Sequence, residues 1–356
     1  MRAALAARLR ALLDGPGPQS RAGLAALLDE LRDRVAGLRA VEDALGTRPL
    51  RELPGPLHAR LLELARLREA LTALWHEGRE ALDGPMPLRP VCGFGHSCRA
   101  RPSSICFHPG RDSLLVTDFG RPELLEFSPR GAPLAAHVLG LRDPTRVLLL
   151  EDGRLALCDR GNARLLLLGA DLRPLRALPF PPELEGPGRR PYDIAALPGG
   201  LAVMTKNAAH EAPRWFSCDP DAAAPAFAPL SGPQDCTPIN CVGLDGLLHV
   251  TASAPNALLR HDPRSGRTEV LHAEPLGLRP TKVEPCPGGL WCASEGRLAR
   301  LDAHGAVLHA ARVATLTGTA RCDASCLGAF VRHGQEFLVV GDMAGRRLHL
   351  LAAPEE

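Results

Sequence analysis

Three sets of residues have the types and spacing for chemistry. Cys92, His96, Cys98, Cys106 and His108 place five residues of metal-ligand type in a short span. Their spacing fits no zinc module, no paired Cys-x-x-Cys array accompanies them, and several fall in strand-like runs, so they read as structural. Asp118, Asp159, Asn207, Asn256 and Asp342 stand at matching points of an internal repeat. In a propeller hydrolase or lyase such a series would point inward at a tunnel metal, while turn chemistry alone would also produce it. The third set is basic: Arg142, Arg146, Arg160, Arg164, Arg189, Arg190, Lys206, Arg214, Arg279, Lys282, Arg297, Arg346 and Arg347, with Tyr192 and Trp215 among them. Guanidinium groups at that density attract carboxylates or phosphates and fix them through paired hydrogen bonds. Gly-Lys-Ser phosphate loops, Gly-x-Ser-x-Gly and His-Glu-x-x-His are missing from the sequence, so no catalytic residue, metal or cofactor is assigned.

The elements that must position these residues are repeated. The stretch 144–180 holds four apolar runs of strand length, separated by Asp152-Gly153, Arg160-Gly161-Asn162 and Gly169-Ala170-Asp171. Turn formers between short apolar runs predict a four-stranded antiparallel meander. Pro102, Pro144, Pro191, Pro238 and Pro280 each open such a copy, 42, 47, 47 and 42 positions apart, and a sixth copy without the proline follows from Cys322. That period is one propeller blade. The sixth copy has three strands only, and the run Val91 to Phe94 precedes the first copy without a blade of its own. The leading run is therefore expected to complete the last blade and close the ring, which removes exposed sheet edges.

Charge divides the two ends of such a ring. Turns after the second strand, together with the connections between blades, carry 16 basic and 12 acidic residues, against 7 and 12 in the remaining turns. The basic rim, including the Pro-rich loop 179–192, is expected to bind a protein partner with an acidic segment, with RNA as an alternative. Aromatic residues make up 4% of the chain, with one tyrosine, which leaves little for base stacking. Asp159 with Arg164 also has a plain reading, an ion pair that locks a turn.

Residues 1–84 differ in composition, being rich in Leu, Ala, Arg and Glu. Leu24, Leu28, Leu31, Val35 and Leu38 follow alternating steps of four and three, with Leu45 one heptad further on, and Leu57, Leu61, Leu64, Leu71, Trp75 and Leu82 keep the same register with Arg68 and Gly78 interrupting it. Each series is the seam of a helix that meets a partner helix. Residues 20–83 are expected to form a hairpin or to build a homo-oligomer, and residues 85–101 to form a linker and the closing strand. No apolar run reaches 18 residues, Arg8 and Arg10 interrupt the amino terminus, and the cysteines number eleven without a disulfide pattern. A cytoplasmic, non-membrane protein is expected.

The connection between second and third strands, LALCDRGNARLLLL at 155–168, resembles the NHL repeat, with Asp159, Gly161, Asn162 and Arg164 in the repeat's positions. LLVTDFGRPELLEF (114–127) and FLVVGDMAGRRLHLL (337–351) are similar to it, whereas blades three to five depart from it. Helices followed by such a propeller resemble the carboxyl-terminal part of tripartite-motif ubiquitin ligases. The resemblance implies a mainly β chain: a six-bladed NHL-like β-propeller over 102–354 preceded by an α-helical coiled-coil-like segment. It also implies a target-recognition scaffold in ubiquitination or innate-immune signalling, or an RNA-binding one in post-transcriptional regulation. The sequence has no RING and no B-box, so intrinsic ligase activity is not expected of it.

Overall fold

The computed structural model describes residues 88–94, 101–185, 190–206, 213–223, 226–234, 236–254, 256–272, 280–294, 296–317, 324–342 and 345–353, with scattered positions among the first 71. Most of them fold into six four-stranded antiparallel sheets. Blade 1 runs Pro102–His108, Ser113–Asp118, Glu123–Phe127 and Pro133–Val138. Blade 2 runs Pro144–Leu149, Leu155–Asp159, Arg164–Leu168 and Pro174–Pro179. Blades 3 to 6 begin with the inner strands Arg190–Leu197, Pro238–Leu244, Lys282–Cys286 and Ala324–Arg332. Each of the first five sheets is a meander in chain order, because turns of a few residues can only join neighbours.

Blade 6 departs from that order in the expected way. Its own strands Ala324–Arg332, Gln335–Asp342 and Arg347–Ala352 are completed by Arg89–Phe94, where Phe94 pairs with Leu348 and Arg89 with Ala352. Apolar packing seals this join. Phe94 meets Phe127 edge to face at 5.2 Å, and Phe330 stacks between Phe107 and Phe337 at 4.4 and 5.2 Å. Buried aromatic pairs of this kind add about 0.5–1.5 kcal/mol beyond their area.

The core is a series of seams between neighbouring sheets rather than one centre. Between blades 1 and 2, Leu115 and Leu124 meet Val147, Leu157 and Leu166; between blades 2 and 3, Phe180 contacts Phe216 and Phe227 at 5.4 and 5.0 Å. At one crossing no side chain fits: a Cβ on Gly243 would lie 1.7 Å from the Ala196 carbonyl oxygen.

A second compact unit holds residues 1–86, 274–278 and 309–311. Among its described positions, Leu5, Leu24, Leu27, Leu28, Leu31 and Leu71 are buried, and Glu30 binds both Arg8 and Arg34. Three leucines of the first predicted seam, Leu24, Leu28 and Leu31, are thus buried helical positions. Most of the second helix, from Leu57 to Leu82, lies outside the described residues. Among the described residues no helix is long and apolar enough to cross a membrane.

Candidate functional site

The inner strands of four blades place a ring of polar side chains at the centre of the propeller. In blades 1 to 4 the strand register slips immediately after the opening proline, between Pro102 and Ser104, Pro144 and Arg146, Pro191 and Asp193, and Pro238 and Asn240. A bulge at that point re-aims the residue that follows it. Arg146 from blade 2 donates from Nη1 to Glu284 Oε1 of blade 5 at 2.5 Å, across 138 residues of sequence. Its Nε lies 3.8 Å from Asp193 Oδ1 of blade 3. Asp193 Oδ2 accepts from Asn240 Nδ2 at 2.7 Å and from the Cys241 amide at 3.0 Å, and Asn240 Oδ1 accepts from the Val283 amide at 2.9 Å. Arg146, Asp193, Asn240 and Glu284 are all at most 9% exposed.

Burial works against the charge of Arg146, and Glu284 and Asp193 overcome it, so the guanidinium is held more firmly than usual. Burial likewise pushes the Glu284 carboxyl up, with Arg146 pulling the other way. Lys206 ends the second strand of blade 3, and its Nζ sits 4.1 Å from the centre of the Tyr192 ring. Arg160 approaches the same ring at 5.8 Å. Burial lowers the Lys206 pKa to about 8; Lys282 and Arg160 add to the fall and Asp193 opposes it. Cys106 and Cys326 also sense Arg146 and Glu284, and burial pushes both thiols up to about 12, which leaves them inert at neutral pH.

The expected rim is only partly assembled. Arg142, Arg214 and Arg346 are exposed. Arg146 is instead buried in the axial ring, because the bulge after Pro144 turns it away from the rim. Trp215 is 4% exposed and packs with Ala195, Met204 and Cys241, since it lies on the buried face of its strand; it is no recognition anchor. Arg164 donates to Asp159 at 2.6 Å, Arg347 lies 3.6 Å from Asp342, and Arg190 donates to the Gly161 carbonyl at 2.6 Å, so these three tie turns together. Burial, then Arg312, lowers Arg297 to about 10. Arg189 and Arg279 lie outside the described residues, as do His96, Cys98 and Asn207.

The repeated acids do not converge on the axis. Asp118 accepts from the Arg101 amide at 2.6 Å, Asp159 from the Arg142 amide at 2.8 Å, and Asp342 from the Gly345 amide at 2.9 Å. Each one ends a second strand and fastens nearby backbone, the turn role that a repeat shares for structural reasons. Among the described residues no group of three His, Cys, Asp or Glu could hold a metal ion. Asp193, Asn240 and Glu284 were missed as a site. For Asp193 and Asn240 the signal was a polar residue at the second position after the blade proline, seen in Ser104, Arg146, Asp193, Asn240 and Lys282; Glu284, four positions after Pro280, lies outside that pattern. The opposite, acidic end has a cleft of about 740 Å³ lined by Glu151, Asp152, Asp219, Asp221 and Asp245, with Arg154 paired to Asp152 and Asp221.

No family model matches the chain, and no curated protein does. Solved structures do. A protein assigned as a gluconolactonase aligns with a TM-score of 0.56 at 18% identity, over 74% of this chain and 91% of that one. The calcium-binding protein regucalcin from Agrobacterium tumefaciens aligns at 0.52 and 17%, over 71% and 91%. A chain of the nidogen/laminin complex aligns at 0.50 and 16%, over 62% and 82%. These likenesses establish the six-bladed propeller fold. The axial residues do not fit a resident divalent cation, because Asp193 and Glu284 already share the Arg146 guanidinium and Asn240 is engaged through both its amide and its carbonyl.

Proposed function

We propose that this chain handles a small anionic molecule at its propeller axis, with chemistry of hydrolase or lyase type that needs no resident metal. The observation that carries this reading is the joining of Arg146, Asp193, Asn240 and Glu284 from four blades, with Lys206, Tyr192 and Lys282 beside them. Buried, mutually oriented polar groups with a perturbed amine are the ordinary signature of a site rather than of a scaffold. Arg146, Lys206 and Lys282 outnumber Asp193 and Glu284, so the ring favours an anion. Arg146 supplies fixed positive charge, and Lys206 supplies an amine able to take or give a proton near neutral pH. The likeness to a gluconolactonase fold supports a small-molecule role by analogy alone.

The test is a thermal-shift screen of small carboxylates, phosphates, sugar acids and lactones against the parent and Lys282→Met. Stabilisation by one class, lost in the variant, is expected; no stabilisation by any class at millimolar concentration refutes the reading.

A second reading keeps the rim: a partner-binding scaffold of tripartite-motif/NHL type, taking an acidic protein segment or RNA. The exposure of Arg142, Arg214 and Arg346 on one face favours it. Capture of an acidic peptide, abolished by Arg214→Glu with Arg346→Glu, would support it.

A further inference from the structure

A cleft of about 460 Å³ opens where the closing strand of blade 6 meets a turn of blade 1. Its walls are apolar: Pro90 and Val91 come from the closing strand, Phe337, Leu350 and Ala352 from the next two strands, and Pro129 from the turn. The sequence builds it at two points. The register of the closing strand slips between Pro90 and Cys92, and this bulge leaves Val91 without a partner residue and 47% exposed. The turn is drawn against the same strand, because the Cys92 thiol donates to the Arg130 carbonyl at 3.3 Å and Gly131, at a φ of +82°, has no Cβ to strike Phe94. Phe337 is held in place by stacking on Phe330 at 5.2 Å.

Three polar side chains line the cleft, and two are already engaged. Arg332 donates from Nε and Nη2 to Asp112 at 2.7 and 2.8 Å, and Gln335 donates to the Ala353 carbonyl at 2.9 Å. Arg130 is exposed, and among the described residues its side chain makes no hydrogen bond or ion pair. Roughly 300–1,000 Å³ of mainly apolar wall with a few placed polar groups is the ordinary build of a small-molecule site.

We propose that this cleft binds a small aliphatic monocarboxylate, with the carboxylate on the Arg130 guanidinium and the chain along Val91, Pro129 and Phe337. A guanidinium takes a carboxylate through two parallel hydrogen bonds. An uncharged apolar ligand would leave Arg130 unused, a cation would be repelled by Arg130 and Arg332, and a phosphate would set its charge against apolar walls. No residue of the axial ring lines the cleft, so binding here is independent of the axial reading.

Isothermal titration of the full chain with butanoate, hexanoate and octanoate tests this, with octylamine and octanol as controls. One octanoate per chain is expected, with affinity rising about fourfold for each added methylene until the cleft is filled. Arg130→Gln should weaken octanoate about tenfold or more. Val91→Glu, which sets a carboxylate beside Arg130, should abolish binding. Both substitutions alter exposed side chains and keep the fold, which melting curves without ligand verify. Octanoate affinity left unchanged by either variant overturns the inference. So does octylamine or octanol binding as tightly as octanoate, or no heat from any carboxylate at millimolar concentration.

Discussion

Replacing Arg146 with methionine keeps most of the side-chain volume and removes the one cation that Glu284 and Asp193 share. The side chains of Arg146 and Glu284 are 6% and 12% exposed, so solvent screens the pair little and water cannot simply replace the lost partner. Breaking a buried ion pair from one side costs about 3–5 kcal/mol. An independent bound comes from protonation, since Glu284 can escape the penalty by becoming neutral. Neutralising a carboxyl of ordinary pKa costs about 5 kcal/mol at pH 8 and about 1 kcal/mol at pH 5. Burial already holds the Glu284 pKa above its unfolded value, and removing Arg146 raises it further. A raised folded-state pKa means that stability is full below the unfolded pKa and is lost as pH climbs towards the folded one. The difference between parent and Arg146→Met, measured by urea unfolding, should therefore be about 4–5 kcal/mol at pH 8 and shrink to about 1–2 at pH 5. Changing Glu284 to leucine as well should recover most of the loss, and Arg146→Lys should sit between. A cost under about 1 kcal/mol at pH 8, or a difference that does not change with pH, would refute the buried-pair account.

Glu126 gives the opposite pH signature. Burial alone would raise its pKa, but Arg111, His137 and Ser113 together hold it at about 2. It thus stabilises the fold above about pH 4.5, and this contribution, on the order of 3 kcal/mol, fades as pH falls towards 2; acid titration of Glu126→Gln should lack that phase. Asp159 is fully buried and accepts from the Arg142 amide, Asn162 and Arg164, so Asp159→Ala should cost about 3 kcal/mol by thermal unfolding. Phe94→Ala loosens the strand that closes the ring and should cost about 3–5 kcal/mol, with hydrogen exchange rising first in Leu348 and Leu350. Charge reversal at Arg214 and Arg346 should leave the melting curve unchanged, whereas Arg164→Glu would set a carboxylate against buried Asp159 and destabilise blade 2.

The architecture was legible because it is written locally and repeated. A proline, four short apolar runs and turn residues recur at blade spacing, and the surplus strand before the first copy had one economical place to go. The acids closing second strands were legible as well, with turn chemistry as one of their two readings; which amides Asp118, Asp159 and Asp342 grip depends on where the nearby backbone points. The rim assignment failed at Arg146 and Trp215 because alternation along a strand tells which residues share a face but not whether that face meets solvent, a neighbouring blade or the axis.

Sequence by itself therefore determined the number of sheets, their internal order and the closing strand, since each depends on contacts between residues near in the chain or on one unpaired edge. Only the tertiary structure decided that Arg146 reaches Glu284 across the ring, that Asp193 and Asn240 lock together, and that the Lys206 ammonium stands over the Tyr192 ring. Those encounters depend on bulges a single residue long and on closure of all six blades, and no local pattern of polar and apolar residues encodes a distance across a ring.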